Sequence, residues 1–191
     1  DVISRITTDG LVFRVDLRLR PEGRAGDIAN SIEGYQWHYK SQGQTWERQA
    51  LLKARVCAGC NNVGNQFTEA IRPHVFHPEF DPLILDDIHH MREKIGRALL
   101  ERGSSDYHVK LGTGGIREIE FFAQTQQLIW GGRLPELRTA PTCDSLNGLA
   151  AAGKISQETA DQLISSYWFL RRVEHHLQMI DDQQTHDLPK D

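Results

Sequence analysis

The sequence predicts an α+β chain that is predominantly helical, with its β portion confined to the amino-terminal residues. Three observations carry this. Residues 11–18 alternate with period two, Leu11, Phe13, Val15 and Leu17 on one face and Val12, Arg14, Asp16 and Arg18 on the other. From Ser31 onward, apolar residues recur three and four apart between caps, prolines and glycines. The composition, 39% hydrophobic and 25% charged over 191 residues, fits one generous domain or two small ones and argues against disorder or a fibrous repeat.

The elements follow in order. Asp9-Gly10 is a hairpin-type turn signal, which makes residues 1–7 the expected partner of the strand at 11–18. Two glycines and a proline punctuate residues 20–27 as a loop. Ser31 is placed to cap a helix running to Gln42, which Gly43 closes. Thr45 is the expected cap of a second helix over residues 46–56. A third is expected over 63–71, ending near Pro73. Pro82 opens a long helix with Leu83, Ile84, Ile88, Met91, Ile95 and Leu99 as its stripe, and Gly103 stops it. The polar run Ser104-Ser105-Asp106 reads as a boundary, giving units 1–105 and 106–191. Beyond it, Gly114-Gly115 precedes a helix over 116–130, Thr142 opens a short one, and Ser156 with Glu158 opens a long one carrying Ala160, Leu163, Tyr167, Leu170, Val173 and Leu177.

Charge and cysteine content narrow the classes. A formal charge of -4 disfavours a broad nucleic-acid-binding face. No run of about 18 apolar residues is present to span a bilayer. Three cysteines, an odd number, favour reduced thiols and a cytoplasmic setting over a disulfide framework. With Asp1 first and neither Met nor leader before it, the chain reads as cut from a longer polypeptide.

Four segments are candidates for chemistry. In the strand, Arg14, Asp16, Arg18 and Arg20 set one carboxylate among guanidinium groups, which suits a place where a metal and a phosphate meet. An exposed strand with an ordinary Arg/Asp pair accounts for the same alternation. In residues 108–121, three glycines before a helix start form a generic anion cradle, and Lys110, Arg117, Glu118 and Glu120 surround it. The Gly-Lys-Ser/Thr ending of a Walker A loop is absent, and a plain helix entry with ion pairs fits equally. Cys57-Ala-Gly-Cys60 is half a zinc site with no second half at suitable spacing. His89-His90 and His175-His176 are adjacent pairs about 100° apart on a helix and do not chelate together. Residues 46–55 read as a core helix with a solvated basic edge.

Taken together, these segments resemble a known family, the bacterial bifunctional glutamine synthetase adenylyltransferase/adenylyl-removing enzymes. The resemblance rests on Val15-Asp16-Leu17-Arg18-Leu19-Arg20-Pro21-x-Gly23-x-x-Gly26, on Trp46-Glu47-Arg48-x-Ala50-x-x-Lys53-Ala54-Arg55, and on residues 110–121, Lys-Leu-Gly-Thr-Gly-Gly-Ile-Arg-Glu-Ile-Glu-Phe. Gln127-Leu-Ile-x-Gly-Gly-Arg133, Phe169-Leu-Arg-Arg172 and residues 178–188 extend it over nearly the whole chain. Trp46-Glu47-Arg48, Arg72-Pro73 with Val75-Phe76, and Gly-Gly-Ile-Arg-Glu-Ile-Glu resemble the amino-terminal, adenylyl-removing copy of that family's two nucleotidyltransferase domains.

The resemblance implies a polymerase-beta-like nucleotidyltransferase domain, partial here, followed by a helical bundle. It implies a two-metal Mg2+ site built from three carboxylates. Asp16 matches the third of them, and the Asp-x-Asp pair that supplies the other two is expected upstream of Asp1. The 191-residue polypeptide alone is therefore expected to be inactive. Arg18, Arg20, Lys110 and Arg117 are the implied phosphate or nucleotide contacts, with Arg14, Glu118 and Glu120 supporting. Implied partners are glutamine synthetase, PII protein, ATP or ADP with phosphate, and glutamine as effector. Two readings compete: a PII-uridylyltransferase-like enzyme, similar in the helical portion, and a non-catalytic helical module that recognises a partner protein.

Overall fold

The computed structural model describes residues 6, 8, 10, 15–79, 81–101, 103, 108–180 and 185–189. Among them the chain is predominantly helical, with seven α-helices: α1 Ile32–Ser41, α2 Thr45–Leu51, α3 Asn61–Val75, α4 Leu83–Glu101, α5 Ile116–Trp130, α6 Thr142–Ala151 and α7 Gln157–Met179. Ser31 and Ser156 act as the sequence predicts, their hydroxyls accepting from the N–H of Gly34 at 3.0 Å and of Thr159 at 3.1 Å.

The strand expectation needs correction. Residues 1–5, 7, 9 and 11–14 of the expected hairpin lie outside the described residues, and residues 15–18 form no strand. Asp16 Oδ1 accepts from the backbone N–H of Arg18 at 2.9 Å. A side chain that bonds the main chain two residues on makes a turn of its own and competes with an extended ladder. Among the described residues Val15, Leu17 and Leu19, which continue the apolar face, are all exposed. The β part of the expected nucleotidyltransferase domain is thus not seen among the described residues. An antiparallel bridge does pair His108 with Asp187.

Two helices differ from expectation at their ends. The second is shorter than residues 46–56. It starts at Thr45 with Gln44 as its cap, and its last turn tightens, Lys53 and Ala54 N–H reaching the carbonyls of Ala50 and Leu51 three residues back. The third runs through Pro73. Proline removes one intrahelical donor there, but the site is in the last turn, where Phe76 N–H still reaches Arg72 O at 2.9 Å and burial of Ile71 and Val75 holds the helix down. A 3-10 turn over Pro135–Leu137, too short to show a period in sequence, links α5 to α6.

Helix α5 is the axis of the packing. Leu128 at its carboxyl end joins Leu52, Val75, Ile84 and Ile88 in one cluster, drawing α2, α3 and α4 together. Ile116 packs with Val109 and Leu177, and Ile119 and Ala123 pack with Leu146, binding α6 and α7 to the other side. Fully buried Gln127 donates its Nε2 to the carbonyls of Leu137 and Thr139, both at 2.7 Å, which satisfies the 3-10 turn from inside. After α5 the backbone of Gly132 passes so close to His77 that a Cβ would meet its carbonyl oxygen at 1.9 Å, so only glycine fits.

Candidate functional site

The described residues place the candidates in three settings. In the first, Asp16 and Arg18 hold each other. Oδ2 lies 2.5 Å from Nη2 and Oδ1 2.9 Å from Nε, with both side chains exposed. The side-chain hydrogen bond from Arg18, backed by its N–H, holds the Asp16 carboxyl down at about 2, so it is ionised throughout the neutral range. Arg20 is spent on the loop itself, donating to Gly26 O at 3.0 Å and also to Leu17 O, which cinches residues 17–26. Arg14 lies outside the described residues.

The second setting is the entry to α5. Its first N–H groups are taken: Ile116 bonds Val109 O at 3.0 Å, Arg117 bonds Lys110 O at 2.9 Å and Glu118 bonds Gly115 O at 3.0 Å. Gly114 N–H donates to Glu118 Oε2 at 3.2 Å, and Glu118 also pairs with Arg92. The glycines therefore serve packing rather than an open anion cradle. A Cβ on Gly115 would meet the carbonyl oxygens of Val109 and Gly112 at 2.7 and 2.8 Å.

The third setting is a buried charge network that gathers residues far apart in sequence. Glu174, only 2% exposed, accepts from Arg171 at 2.6 Å, and Lys110 lies 3.7 Å away. His186 Nδ1 stands 3.0 Å from Glu174 Oε1 without an aligned hydrogen bond, a contact that carries charge only when the imidazole is protonated, which burial disfavours. Arg171 also reaches Glu120 at 2.8 Å and the Tyr167 hydroxyl at 3.1 Å. Burial works to raise the Glu174 carboxyl, but the hydrogen bond and charge of Arg171, with Lys110 and His186, keep it below the usual range. Burial likewise disfavours the Arg171 charge, and the bonds to Glu174 and Tyr167 outweigh it.

Sequence reasoning passed over the feature that unites these pieces. A cavity of about 650 Å³ opens between α2, α4, α5 and α7, roofed in part by Leu19 of the Asp16 loop. Four cations line it, Lys53, Lys94, Arg117 and Arg171, against one carboxylate, Glu120. Arg117 lies over the Phe121 ring, 4.9 Å from its centroid. Lys53, half buried, donates to Ala140 O and to Thr142 Oγ1 at 3.1 Å. Burial pulls its pKa down, partly offset by Glu120 and reinforced by Arg171. The available signal was Trp46, Gln49, Ala50 and Lys53 at i, i+3, i+4 and i+7, two polar groups on one helical face.

Among the described residues no group of three His, Cys, Asp or Glu side chains is placed to hold a metal ion, and no helix is long and apolar enough to cross a membrane. Asp16 suits the part of a single hard oxygen ligand, being ionised and open to solvent, with Arg18 across both its oxygens.

Known proteins supply the remaining observation. Residues 1–70 match the family model described as glutamate-ammonia ligase adenylyltransferase, and residues 88–191 match the one described as GlnD PII-uridylyltransferase. A bifunctional glutamine synthetase adenylyltransferase/adenylyl-removing enzyme from Bradyrhizobium sp. (strain ORS 278) is 49% identical over 187 residues, 97% of this chain and 19% of its own length. Its namesake from Rhodopseudomonas palustris (strain ATCC BAA-98 / CGA009) is 49% identical over 190 residues, 98% of this chain and 19% of its own length. That from Rhizobium meliloti (strain 1021) is 46% identical over 191 residues, 99% of this chain and again 19% of its own length.

The chain belongs to the glutamine synthetase adenylyltransferase/adenylyl-removing enzyme family. Its second half belongs as well to the domain family described as PII-uridylyltransferase. The chain spans about a fifth of the length of the curated relatives it matches, 19% in each case above. The printed names of these relatives describe them as glutamine synthetase adenylyltransferases and adenylyl-removing enzymes.

Proposed function

We propose that this chain is part of the adenylyl-removing centre of a glutamine synthetase-modifying enzyme. Inorganic phosphate attacks the α-phosphorus of an adenylylated tyrosine, the tyrosyl oxygen leaves and takes up a proton, and ADP is released. The observation that carries the reading is the cationic cavity beneath the Asp16 loop, inside a chain nearly half identical to such enzymes. Asp16 is the proposed Mg2+ ligand. Mg2+, when bound, neutralises phosphate charge. Arg18 and Arg20 are the proposed phosphate contacts from the loop, and Lys110 and Arg117 those from the α5 side. In the described state Arg20 serves the loop backbone and Lys110 serves Glu174, so Arg117 is the readiest of the four.

The same proposal includes a division into catalytic residues 1–105 and helical residues 106–191. It also includes a cytoplasmic setting, addition of AMP from ATP by the longer enzyme, and control by PII protein and glutamine. The adenylyl-removing assignment is supported by Trp46-Glu47-Arg48, Arg72-Pro73 and Gly-Gly-Ile-Arg-Glu-Ile-Glu. With Asp16 as its one match to the family's three carboxylates, the 191-residue polypeptide is expected to release no ADP from adenylylated glutamine synthetase and phosphate. In the full-length enzyme Asp16→Asn is expected to abolish that release while AMP addition from ATP to unmodified glutamine synthetase continues. Phosphorolysis near the parent level in the variant would remove Asp16 from the site.

The match of residues 88–191 favours one further reading, a uridylyltransferase acting on PII protein. UMP transfer to PII from UTP, with no ADP formed from adenylylated glutamine synthetase, would establish it instead.

A further inference from the structure

One residue of the cavity wall carries a buried polar group with no partner among the described residues. Gln49 is only 6% exposed and lines the cavity wall, yet its Nε2 has no hydrogen-bond partner. Burying an amide donor unsatisfied is unfavourable, and such a group in a cleft is explained most simply by a ligand that completes it. Its neighbours at the cavity are Trp46 of α2, a flat aromatic surface, and Lys53 in the turn that ends the helix. Lys53 uses two of its three ammonium protons on Ala140 and Thr142, leaving one for a ligand. From Trp46 to Lys53 is seven residues, a rise of about 10 Å, comparable to the reach of a nucleotide from its base to its outer phosphate.

We propose that Gln49 is a specificity-determining residue that reads the adenine of a nucleotide in this cavity, with Trp46 against the base and Lys53, Lys94 and Arg117 around the phosphates. This rests on the nucleotidyltransferase reading above and sharpens it to one residue. A carboxamide turned about its loose terminal torsion offers a donor beside an acceptor, which matches the ring nitrogen and exocyclic amine of adenine. Guanine presents two acceptors on the corresponding edge and leaves the carboxamide oxygen unpaired. Glu120, the cavity's one carboxylate, is already held by Arg171 at 2.8 Å, so three cations remain for phosphate.

Calorimetric titration of the protein with ADP, GDP and inorganic tripolyphosphate tests this. The wild type is expected to bind ADP about tenfold more tightly than GDP, the worth of roughly one well-made hydrogen bond. Gln49→Leu is expected to erase that ratio while tripolyphosphate binds as before, and Lys53→Met to weaken all three ligands. Gln49→Met, which keeps the side-chain length, repeats the measurement if circular dichroism shows the leucine variant to be misfolded. An ADP-over-GDP preference that survives both Gln49 variants overturns this inference alone. Failure of the wild type to bind ADP or tripolyphosphate, or binding that Lys53→Met leaves untouched, overturns the reading of the cavity as a nucleotide site as well.

Discussion

Asp16 and Glu174 are each gripped by an arginine, at 2.5 and 2.6 Å, in surroundings that differ completely. The Asp16 and Arg18 side chains are 47% and 63% exposed, whereas those of Glu174 and Arg171 are 3% and 25% exposed. Water screens the first pair, and its partners lie two residues apart. The second pair is largely shielded from water and ties α7 to α5 through Glu120, and to the loops before and after through Lys110 and His186. An exposed pair contributes little to stability and is free to exchange its partner for a ligand. A buried pair fixes positions, and removing one member leaves a charge that nothing offsets.

The largest expected effect breaks the buried member. Glu174→Ala leaves Arg171 with Glu120 as its one carboxylate and Lys110 with none of those described. The cost of an uncompensated buried charge runs to about 3–5 kcal/mol. The residual exposure of Arg171 and its bond to Glu120 reduce this to about 2–3 kcal/mol. Urea unfolding measures it, and Arg18→Ala in the same assay is expected to leave the midpoint unmoved. Equal shifts for the two variants would erase the distinction between the centres.

Burial that outweighs a nearby counter-charge, here Glu47, gives the opposite titration behaviour, and His74 is the case. Its ring stacks on Tyr39 with centroids 4.9 Å apart, and burial, with Arg48 beside it, pulls its pKa down to about 4. Because the unfolded chain protonates near 6.5, it binds the proton first, so stability falls as pH drops from about 6.5 to 4 and levels off below. Partial exposure reduces the nominal linkage to about 1–2 kcal/mol. His74→Phe keeps the stack and is expected to remove this part of the pH dependence; identical profiles for variant and parent would place the acid sensitivity elsewhere.

Sequence reading recovered one of the two arginine–carboxylate centres in part and the other hardly at all. Caps and periodicity gave α1, α4, α5, α6 and α7 nearly to the residue, because Ser31, Ser156 and the flanking glycines are local signals. The Asp16 segment was read as strand since alternation is local too, whereas the turn closed by its own side chain depends on geometry. Residues 46–55 looked like a core helix with a basic edge, and Glu47 is indeed structural, accepting from Gln44 N–H at 2.8 Å and pairing with His38 at 2.9 Å. Lys53 and Gln49 became visible as cavity residues only when α4, α5 and α7 closed around them. Arg171 and Glu174, three apart, announce a helical pair. Nothing in sequence announces Lys110, Glu120 or His186 as their company.

Salt separates the two centres more gently than mutation does. The depressed Asp16 pKa depends on the hydrogen bonds from Arg18 at an exposed site, so Arg18→Ala is expected to return it from about 2 toward the model-peptide 3.8. In the parent, raising salt to about 1 M contracts the Debye length to about 3 Å and is expected to move Asp16 part of the way. Glu174 is expected to hold its depressed value under the same conditions. Carboxyl chemical shifts followed by NMR against pH report both in one titration, and equal salt sensitivity would mean that burial does not distinguish them.

The smallest expected effect carries the contrast over to thiols. Cys60 is exposed at the start of α3, where the backbone N–H groups of Val63 and Asn62 favour its thiolate and lower its pKa. Cys143 is part-buried in α6, and burial together with nearby Asp144 pushes its thiol up. Alkylation proceeds through the thiolate, so iodoacetamide at pH 7.5 is expected to label Cys60 several-fold faster than Cys143, followed peptide by peptide in a mass spectrometer. Unfolding in urea abolishes both environments, and the two rates are then expected to converge. Rates that differ as much in urea as in buffer would trace the contrast to local sequence instead of to exposure and the helix start.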